Sequence, residues 1–121
     1  MVEKDTRYLS KFYQKTKPER LAALMKAGFL SEEGAAAFAD DLHLSADIAD
    51  SMIENQLATY QLPFGVALNF LIDEQEYAVP MAIEEPSVVA AASSAAKMFA
   101  PYGGFKTTTT RRTMIGQVIL T

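Results

Sequence analysis

The sequence contains no cysteine, which excludes a disulfide framework, a thiolate metal site and a cysteine nucleophile within this chain. It contains one histidine, His43, so histidine-based metal clusters and histidine triads are excluded as well. We therefore expect no metal site, and we interpret His43 as a surface residue near a helix end. The lack of cysteine is consistent with a reducing cytoplasm.

Positive charge and long apolar runs are also scarce. The 11 lysine and arginine residues are outnumbered by 15 aspartate and glutamate residues, which gives a formal net charge of −4. A nucleic acid partner would require a clustered basic surface, so we expect none. No apolar run reaches the roughly 18 residues of a membrane-spanning helix. The start of the chain, MVEKDTRYLS, lacks the apolar segment of a signal peptide. We expect a cytoplasmic protein without a membrane partner.

The composition is that of an ordinary globular protein, because 50% of the 121 residues are hydrophobic and 21% are charged. A chain of this length usually forms one domain. Its first half carries helix signals. Thr16 and Glu19 have the spacing of a capping box, and Ser31 and Ser45 are suitable N-caps for two further helices. Leu62-Pro63 is expected to end the third helix.

The second half begins with the pattern of a β-hairpin. Apolar side chains alternate over residues 66–71, a polar turn follows at 73–76, and an apolar run resumes over 77–83. Pro80 lacks a backbone N–H, which suggests an edge position or a bulge.

An alanine-rich helix is predicted to follow, with Pro86 in its first position and Gly103-Gly104 at its end. Residues 107–110 and 114–120 resemble a final strand that reaches the last residue. We therefore expect the chain to be part of a longer protein. The predicted fold class is α+β, with N-terminal helices, a β-hairpin, an alanine-rich helix and a terminal strand.

Three stretches, in one order, resemble the 3-hydroxy-3-methylglutaryl-coenzyme A (HMG-CoA) reductases of class II, the bacterial type. VPMAIEEPSVVAAAS, residues 79–93, resembles the segment that delivers the catalytic glutamate. Glu54 and Asn55, continued to Leu62-Pro63, resemble the dimerisation motif, although Ala58 replaces its usual glycine. Residues 103–105 and 114–118 resemble the crossover into the cofactor domain. The likeness runs from about Phe12 to the end.

The resemblance implies an enzyme that interconverts HMG-CoA and mevalonate with two NADH or NADPH. It implies that Glu85 is the catalytic acid and that Ser87 helps to hold the hydroxymethylglutaryl group. Residues 1–105 would belong to the large, substrate-binding and dimerisation domain, and 106–121 would start the small cofactor-binding domain. The family's catalytic lysine, aspartate and histidine and its dinucleotide motif do not occur in this chain. We therefore expect a homo-oligomeric parent enzyme and an inactive isolated chain.

Plainer interpretations exist for the same residues. Glu84 and Glu85 could simply compensate a helix dipole, and Ser87 could be an ordinary first-turn serine. Arg111 and Arg112 could bind a carboxylate or phosphate of the substrate, or could be exposed strand-end residues. The basic residues among the first 26 could form a solvated face or meet the phosphates of coenzyme A. The rival function is a free-standing, non-catalytic α+β module that dimerises or binds an acyl-CoA.

Overall fold

The computed structural model describes residues 4–39, 42–110, 113, 114, 116 and 118. Within these residues it contains helices and one two-stranded antiparallel sheet, which confirms the α+β class. The elements, in chain order, are α1 (Lys17–Lys26), α2 (Glu32–Ala39), α3 (Ala46–Met52), β1 (Phe64–Ile72), β2 (Gln75–Ala82) and α4 (Val88–Phe99). Short 3-10 turns occupy Thr6–Leu9, Phe12–Gln14 and Ala100–Tyr102. None of the helices in the described part of the chain is long and apolar enough to span a membrane.

The predicted helix starts are confirmed by their capping contacts. The Glu19 carboxylate accepts hydrogen bonds from the Thr16 backbone N–H at 2.7 Å and from the Thr16 hydroxyl at 2.8 Å. These two bonds lower the pKa of Glu19. The Ser31 hydroxyl accepts from the Gly34 N–H at 3.0 Å, and the Ser45 hydroxyl accepts from the Ile48 N–H at 3.4 Å.

Helix α3 is shorter than the sequence predicts. It ends at Met52, and the chain turns at Asn55, which has a left-handed φ of 58°. Residues 56–63 have no regular structure. The apolar side chains that were expected to extend the helix have no covering surface, and Leu57 is 96% exposed. A short helix is held mainly by packing of its apolar face, so it stops where that packing is missing.

The predicted hairpin is confirmed, with a tighter turn than expected. Strands β1 and β2 pair from Phe64 opposite Ala82 to Ile72 opposite Gln75. The turn is two residues, Asp73 and Glu74, and both have positive φ, at 46° and 69°. This combination of φ values twists the two strands in their preferred direction. Pro80 pairs with Val66 in a sheet whose two strands are both edges, as its missing N–H predicts.

The buried core lies between the N-terminal helices and β1. Its central cluster consists of Leu9, Ala23, Ala27 and Leu68. On the same strand, Ala67 is fully buried and Ala96 of α4 is 1% exposed. Helix α4 therefore packs on β1 through small side chains.

The end of α4 is as predicted, and much of the predicted terminal strand lies outside the described residues. A 3-10 turn follows α4, and Gly103 and Gly104 then adopt positive φ values of 94° and 68°. After them only Phe105 forms an isolated bridge, to Ile72. None of the described residues from 106 onwards lies in a strand.

Candidate functional site

The two glutamates singled out by the sequence lie in the connection from β2 to α4. The Ile83 N–H donates to the Pro63 carbonyl oxygen at 3.1 Å, which fixes the start of this connection beside the beginning of β1. Glu84 and Glu85 follow and are exposed. Neither carboxylate has a hydrogen-bond or ion-pair partner within the described ranges, so both are open to a ligand.

The predicted start of α4 requires a correction. Pro86 is not the first helical residue, and Glu85 is not the N-cap. The N-cap is Ser87, with a left-handed φ of 67°, and the helix begins at Val88. The Ser87 carbonyl oxygen accepts the first helical hydrogen bond, from the Ala91 N–H at 2.7 Å. The left-handed Ser87 turns the chain once more before the helix, and this places Glu85 two residues ahead of the cap.

Glu84 and Glu85 border an open cleft of about 310 Å³ at one end of the sheet. Apart from the two glutamates, the cleft is lined by Pro63, Phe64, Gly65, Ile83, Pro86 and Val89. Val89 covers Gly65, because a β-carbon added to that glycine would meet the Val89 side chain at 3.8 Å. The walls are therefore apolar, and the carboxylates supply the ionisable groups. Such an arrangement can exchange a proton with a ligand held against the apolar wall.

Ser87 opens into a different space. It lines a larger groove of about 1910 Å³ between α4 and the N-terminal helices, whereas the glutamates line the small cleft. Its hydroxyl donates to the Pro86 carbonyl oxygen at 2.5 Å. Among the residues that line this groove are the basic side chains of Lys11, Lys17, Arg20 and Lys97. Ser87 thus lines the larger groove, which adjoins the cleft of Glu85 along Pro63, Phe64, Gly65 and Val89.

The chain matches known proteins over most of its length. The model of the family "Hydroxymethylglutaryl-coenzyme A reductase" matches residues 16–121. The chain belongs to the HMG-CoA reductase family. It is 51% identical over 111 residues to the reductase of Archaeoglobus fulgidus, which covers 91% of this chain and 25% of that protein. It is 42% identical over 52 residues to a probable reductase of Borreliella burgdorferi, which covers 43% of this chain and 12% of that protein.

Solved reductase structures share the fold. A class II HMG-CoA reductase from Streptococcus pneumoniae, bound to NADPH, matches with a TM-score of 0.75 and 41% identity, over 81% of this chain and 27% of that one. Another structure of the Streptococcus pneumoniae reductase matches with a TM-score of 0.80 and 40% identity, over 86% of this chain and 25% of that one. The chain thus spans about a quarter of the length of its relatives.

The other residues singled out in the sequence lie on the surface or outside the described residues. Glu54 and Asn55 form the exposed turn after α3 rather than part of a helix. His43 is exposed, and its Nδ1 lies 3.4 Å from Gln61 Nε2, which agrees with a surface position. Arg111 and Arg112 lie outside the described residues.

Sequence reasoning missed two residues that attach α4 of this reductase chain to its sheet. The Ser93 hydroxyl accepts a hydrogen bond from the Leu68 backbone N–H at 3.0 Å, and the Asn69 side chain donates to the Ser93 carbonyl oxygen at 3.1 Å. The signal that could have found them is a hydroxyl residue in an alanine-rich helix, together with an asparagine inside an apolar strand. Both are unfavourable unless their side chains have a specific partner.

Proposed function

We propose that this chain supplies the proton-donating glutamate of an HMG-CoA reductase, which interconverts HMG-CoA and mevalonate with two NADH or NADPH. The observation that supports the proposal best is the position of Glu85. It stands at the mouth of an apolar cleft, without a partner among the described residues, within the segment that resembles the family's catalytic-glutamate segment. A carboxyl group placed there can approach a bound thioester.

The chemistry explains why an acid is needed. Reduction of a thioester builds negative charge on the former carbonyl oxygen, and a proton must neutralise that charge before the alcohol is formed. Glu85 would hold this proton. A cation for the oxygen and an acid for the departing thiolate would come from the family's lysine and histidine, outside this chain.

The residues that the structure describes do not fit a nicotinamide nucleotide site. The adjacent glycines Gly103 and Gly104 follow a helix rather than precede one, and they are not part of a glycine-rich phosphate loop. The nucleotide, as the source of hydride, would be held by other parts of the enzyme. In the proposed domain assignment, residues 1–105 belong to the large domain and residues 106–121 begin the cofactor domain.

The substrate's remaining parts have possible contacts in the larger groove. Ser87 lines that groove and would contact the hydroxymethylglutaryl group. Arg112, which lies outside the described residues, would add a bidentate contact to a carboxylate or phosphate of the substrate. The basic residues of the groove would attract the phosphates of coenzyme A. The parent enzyme would be cytoplasmic and would dimerise through the exposed apolar surface of α3 and residues 53–60.

The test is a reductase assay on a full-length protein that contains residues 1–121. With HMG-CoA and either NADH or NADPH, we expect nucleotide oxidation and formation of mevalonate, identified by mass spectrometry. The purified 121-residue chain, with its intact mass confirmed, serves as the control and is expected to be inactive. An inactive full-length protein with both nucleotides would contradict the proposed function, and turnover by the control chain would contradict the assigned roles.

A further inference from the structure

Strand β1 contains a bulge at the point where α4 crosses it. Ala67 pairs with Val79 and Phe70 pairs with Tyr77, so Leu68 and Asn69 together face a single residue of β2. Asn69 has a left-handed φ of 68°, a conformation that asparagine tolerates better than most residues do. The bulge therefore interrupts regular pairing and turns backbone and side-chain donors towards the helix.

Ser93 receives both of these donors. Its hydroxyl accepts from the Leu68 N–H at 3.0 Å and donates to the Val89 carbonyl oxygen, one helical turn earlier, at 2.8 Å. Its carbonyl oxygen accepts from the Asn69 side-chain amide at 3.1 Å. One half-buried residue of α4 thus makes two hydrogen bonds to the bulge, and its hydroxyl is oriented by a third bond within the helix.

The hydrogen bonds of Ser93 restrict how α4 can rotate and slide on β1 more tightly than the apolar packing of the helix does. The helix contacts β1 through small buried side chains such as Ala67 and Ala96 and through Val89 over Gly65. Apolar contacts are non-directional, so they restrict the helix's rotation and its position along its axis only loosely. Directional hydrogen bonds restrict both. Ser93 lies six residues after the Ser87 cap, or about 9 Å along the helix axis, and Pro86 alone separates that cap from Glu85.

We propose that Ser93 and Asn69 are positioning residues, which hold α4 on the bulge of β1 so that the connection before α4 presents Glu85 to the substrate. The proposal rests on the proposed function. A shift of the helix by one residue corresponds to about 1.5 Å, and misplacement of a catalytic group by about 1 Å can lower the rate roughly 10²-fold. Ser93 and Asn69 line the larger groove and do not border the cleft of Glu85. Their effect on Glu85 therefore acts through the placement of the helix.

The experiment uses Ser93→Ala and Asn69→Gly in the full-length reductase. Asn69→Gly keeps the left-handed backbone and removes only the amide donor. The matched control is Ser94→Ala, which removes an exposed hydroxyl of the same helix that has no hydrogen bond among the described residues. We expect kcat to fall roughly 10-fold or more in the first two variants. The KM for the nicotinamide nucleotide and the kcat of Ser94→Ala should remain within about twofold of wild type.

The double variant Ser93→Ala/Asn69→Gly provides a second readout. Each single variant removes one of the two hydrogen bonds, because Ser93→Ala keeps the backbone carbonyl that accepts from Asn69. The double variant removes both bonds, so its kcat should fall below that of either single variant. Wild-type kcat in Asn69→Gly, or a loss that follows only the unfolded fraction measured by thermal denaturation, would overturn the proposal. If Glu85→Gln is also fully active, then the proposed function fails; if Glu85→Gln is inactive, then only the positioning role fails.

Discussion

At the residue scale, Asp73 ties the hairpin turn to the segment that leaves the sheet. Its carboxylate accepts a hydrogen bond from the Thr107 N–H at 3.0 Å and a second one from the Thr107 hydroxyl. The Thr107 hydrogen bonds hold the pKa of Asp73 below its ordinary value of 3.8, and the charge of Lys106 adds a smaller effect in the same direction. The ionised form of Asp73 is therefore the form that binds Thr107.

This contact predicts an acid-sensitive part of the stability. A lowered folded-state pKa means that the contribution of Asp73 is complete above its ordinary pKa of 3.8 and is lost as the pH falls through the folded-state pKa. Asp73→Asn should abolish that part. We would measure the free energy of unfolding of both full-length proteins with denaturant from about pH 5 to about pH 2. The difference between wild type and Asp73→Asn should shrink as the pH falls. The control Glu74→Gln removes an exposed ion pair with Lys106 and should leave the pH dependence nearly unchanged. If the free energies of unfolding of wild type and Asp73→Asn differ by the same amount at every pH, then Asp73 does not contribute an acid-sensitive part of the stability.

Glu85 shows what a sequence can and cannot predict about one residue. Its catalytic role stays a prediction, which rests on the long and specific segment around it. Its position relative to the helix was not predictable, because proline is common at the first helical position and left-handed serine is uncommon. Since the influence of a helix dipole falls off within the first turn, the two-residue offset weakens the simple dipole-compensation interpretation of Glu85.

At the element scale, Gly104 allows the chain to return to the sheet after α4. A β-carbon at this position would lie 2.1 Å from the Leu71 carbonyl oxygen, which is the acceptor of the Phe105 N–H at 2.8 Å. Any side chain would therefore displace the bridge between Phe105 and Ile72. Phe105 also stacks on Phe70, with ring centroids 5.8 Å apart. Displacing Phe105 would therefore also weaken this aromatic contact.

The adjacent glycine offers a matched control. Gly103 also has a positive φ, 94°, but an added β-carbon there would meet nothing within 4 Å. Gly103→Ala should cost about 1–2 kcal/mol from backbone strain alone, and Gly104→Ala should cost about 3 kcal/mol or more. Denaturant unfolding of the full-length variants measures both. Equal losses in the free energy of unfolding would show that the backbone near Leu71 can move to make room for the β-carbon added at position 104 without further cost.

An element can be predicted from the sequence when residues close to it in the chain determine its structure. Helix α1 and the β1–β2 hairpin were predictable, because capping boxes and two-residue turns are set by neighbouring residues. The length of α3 was not, since it depends on a surface that the sequence pattern does not identify. The bulge at Asn69 was missed for a similar reason, because its partner, Ser93, lies 24 residues away.

At the scale of the whole molecule, the described residues bury little. The buried hydrophobic residues are two leucines and six alanines, and no large side chain is fully buried. The accessible surface is 10410 Å², whereas a compact monomer of 13.2 kDa exposes about 6,400 Å². Several large apolar side chains are among the exposed residues, including Met52, Leu57 and Tyr60. The chain therefore carries much surface that is suited to association.

We expect the isolated chain to self-associate at micromolar concentration. Light scattering coupled to size exclusion should give a mass above 13.2 kDa. Leu57→Gln should reduce association if residues after α3 form the contact. Tyr102→Gln, which alters a comparably exposed residue beyond α4, is the control. A sharp monomer peak with cooperative unfolding would instead favour the free-standing module.

The central claim is that Glu85 is the proton donor, and it is tested only in the whole enzyme, because turnover requires a bound nicotinamide nucleotide. Glu85→Gln keeps the size of the side chain but cannot donate a carboxylic proton, and Glu84→Gln makes the same change at the adjacent exposed residue. The measurement is kcat at saturating HMG-CoA and nucleotide. We predict a loss of roughly 10²-fold or more for Glu85→Gln with substrate binding largely retained, and a much smaller loss for Glu84→Gln. The reverse order, or near-wild-type activity of Glu85→Gln, would contradict the account.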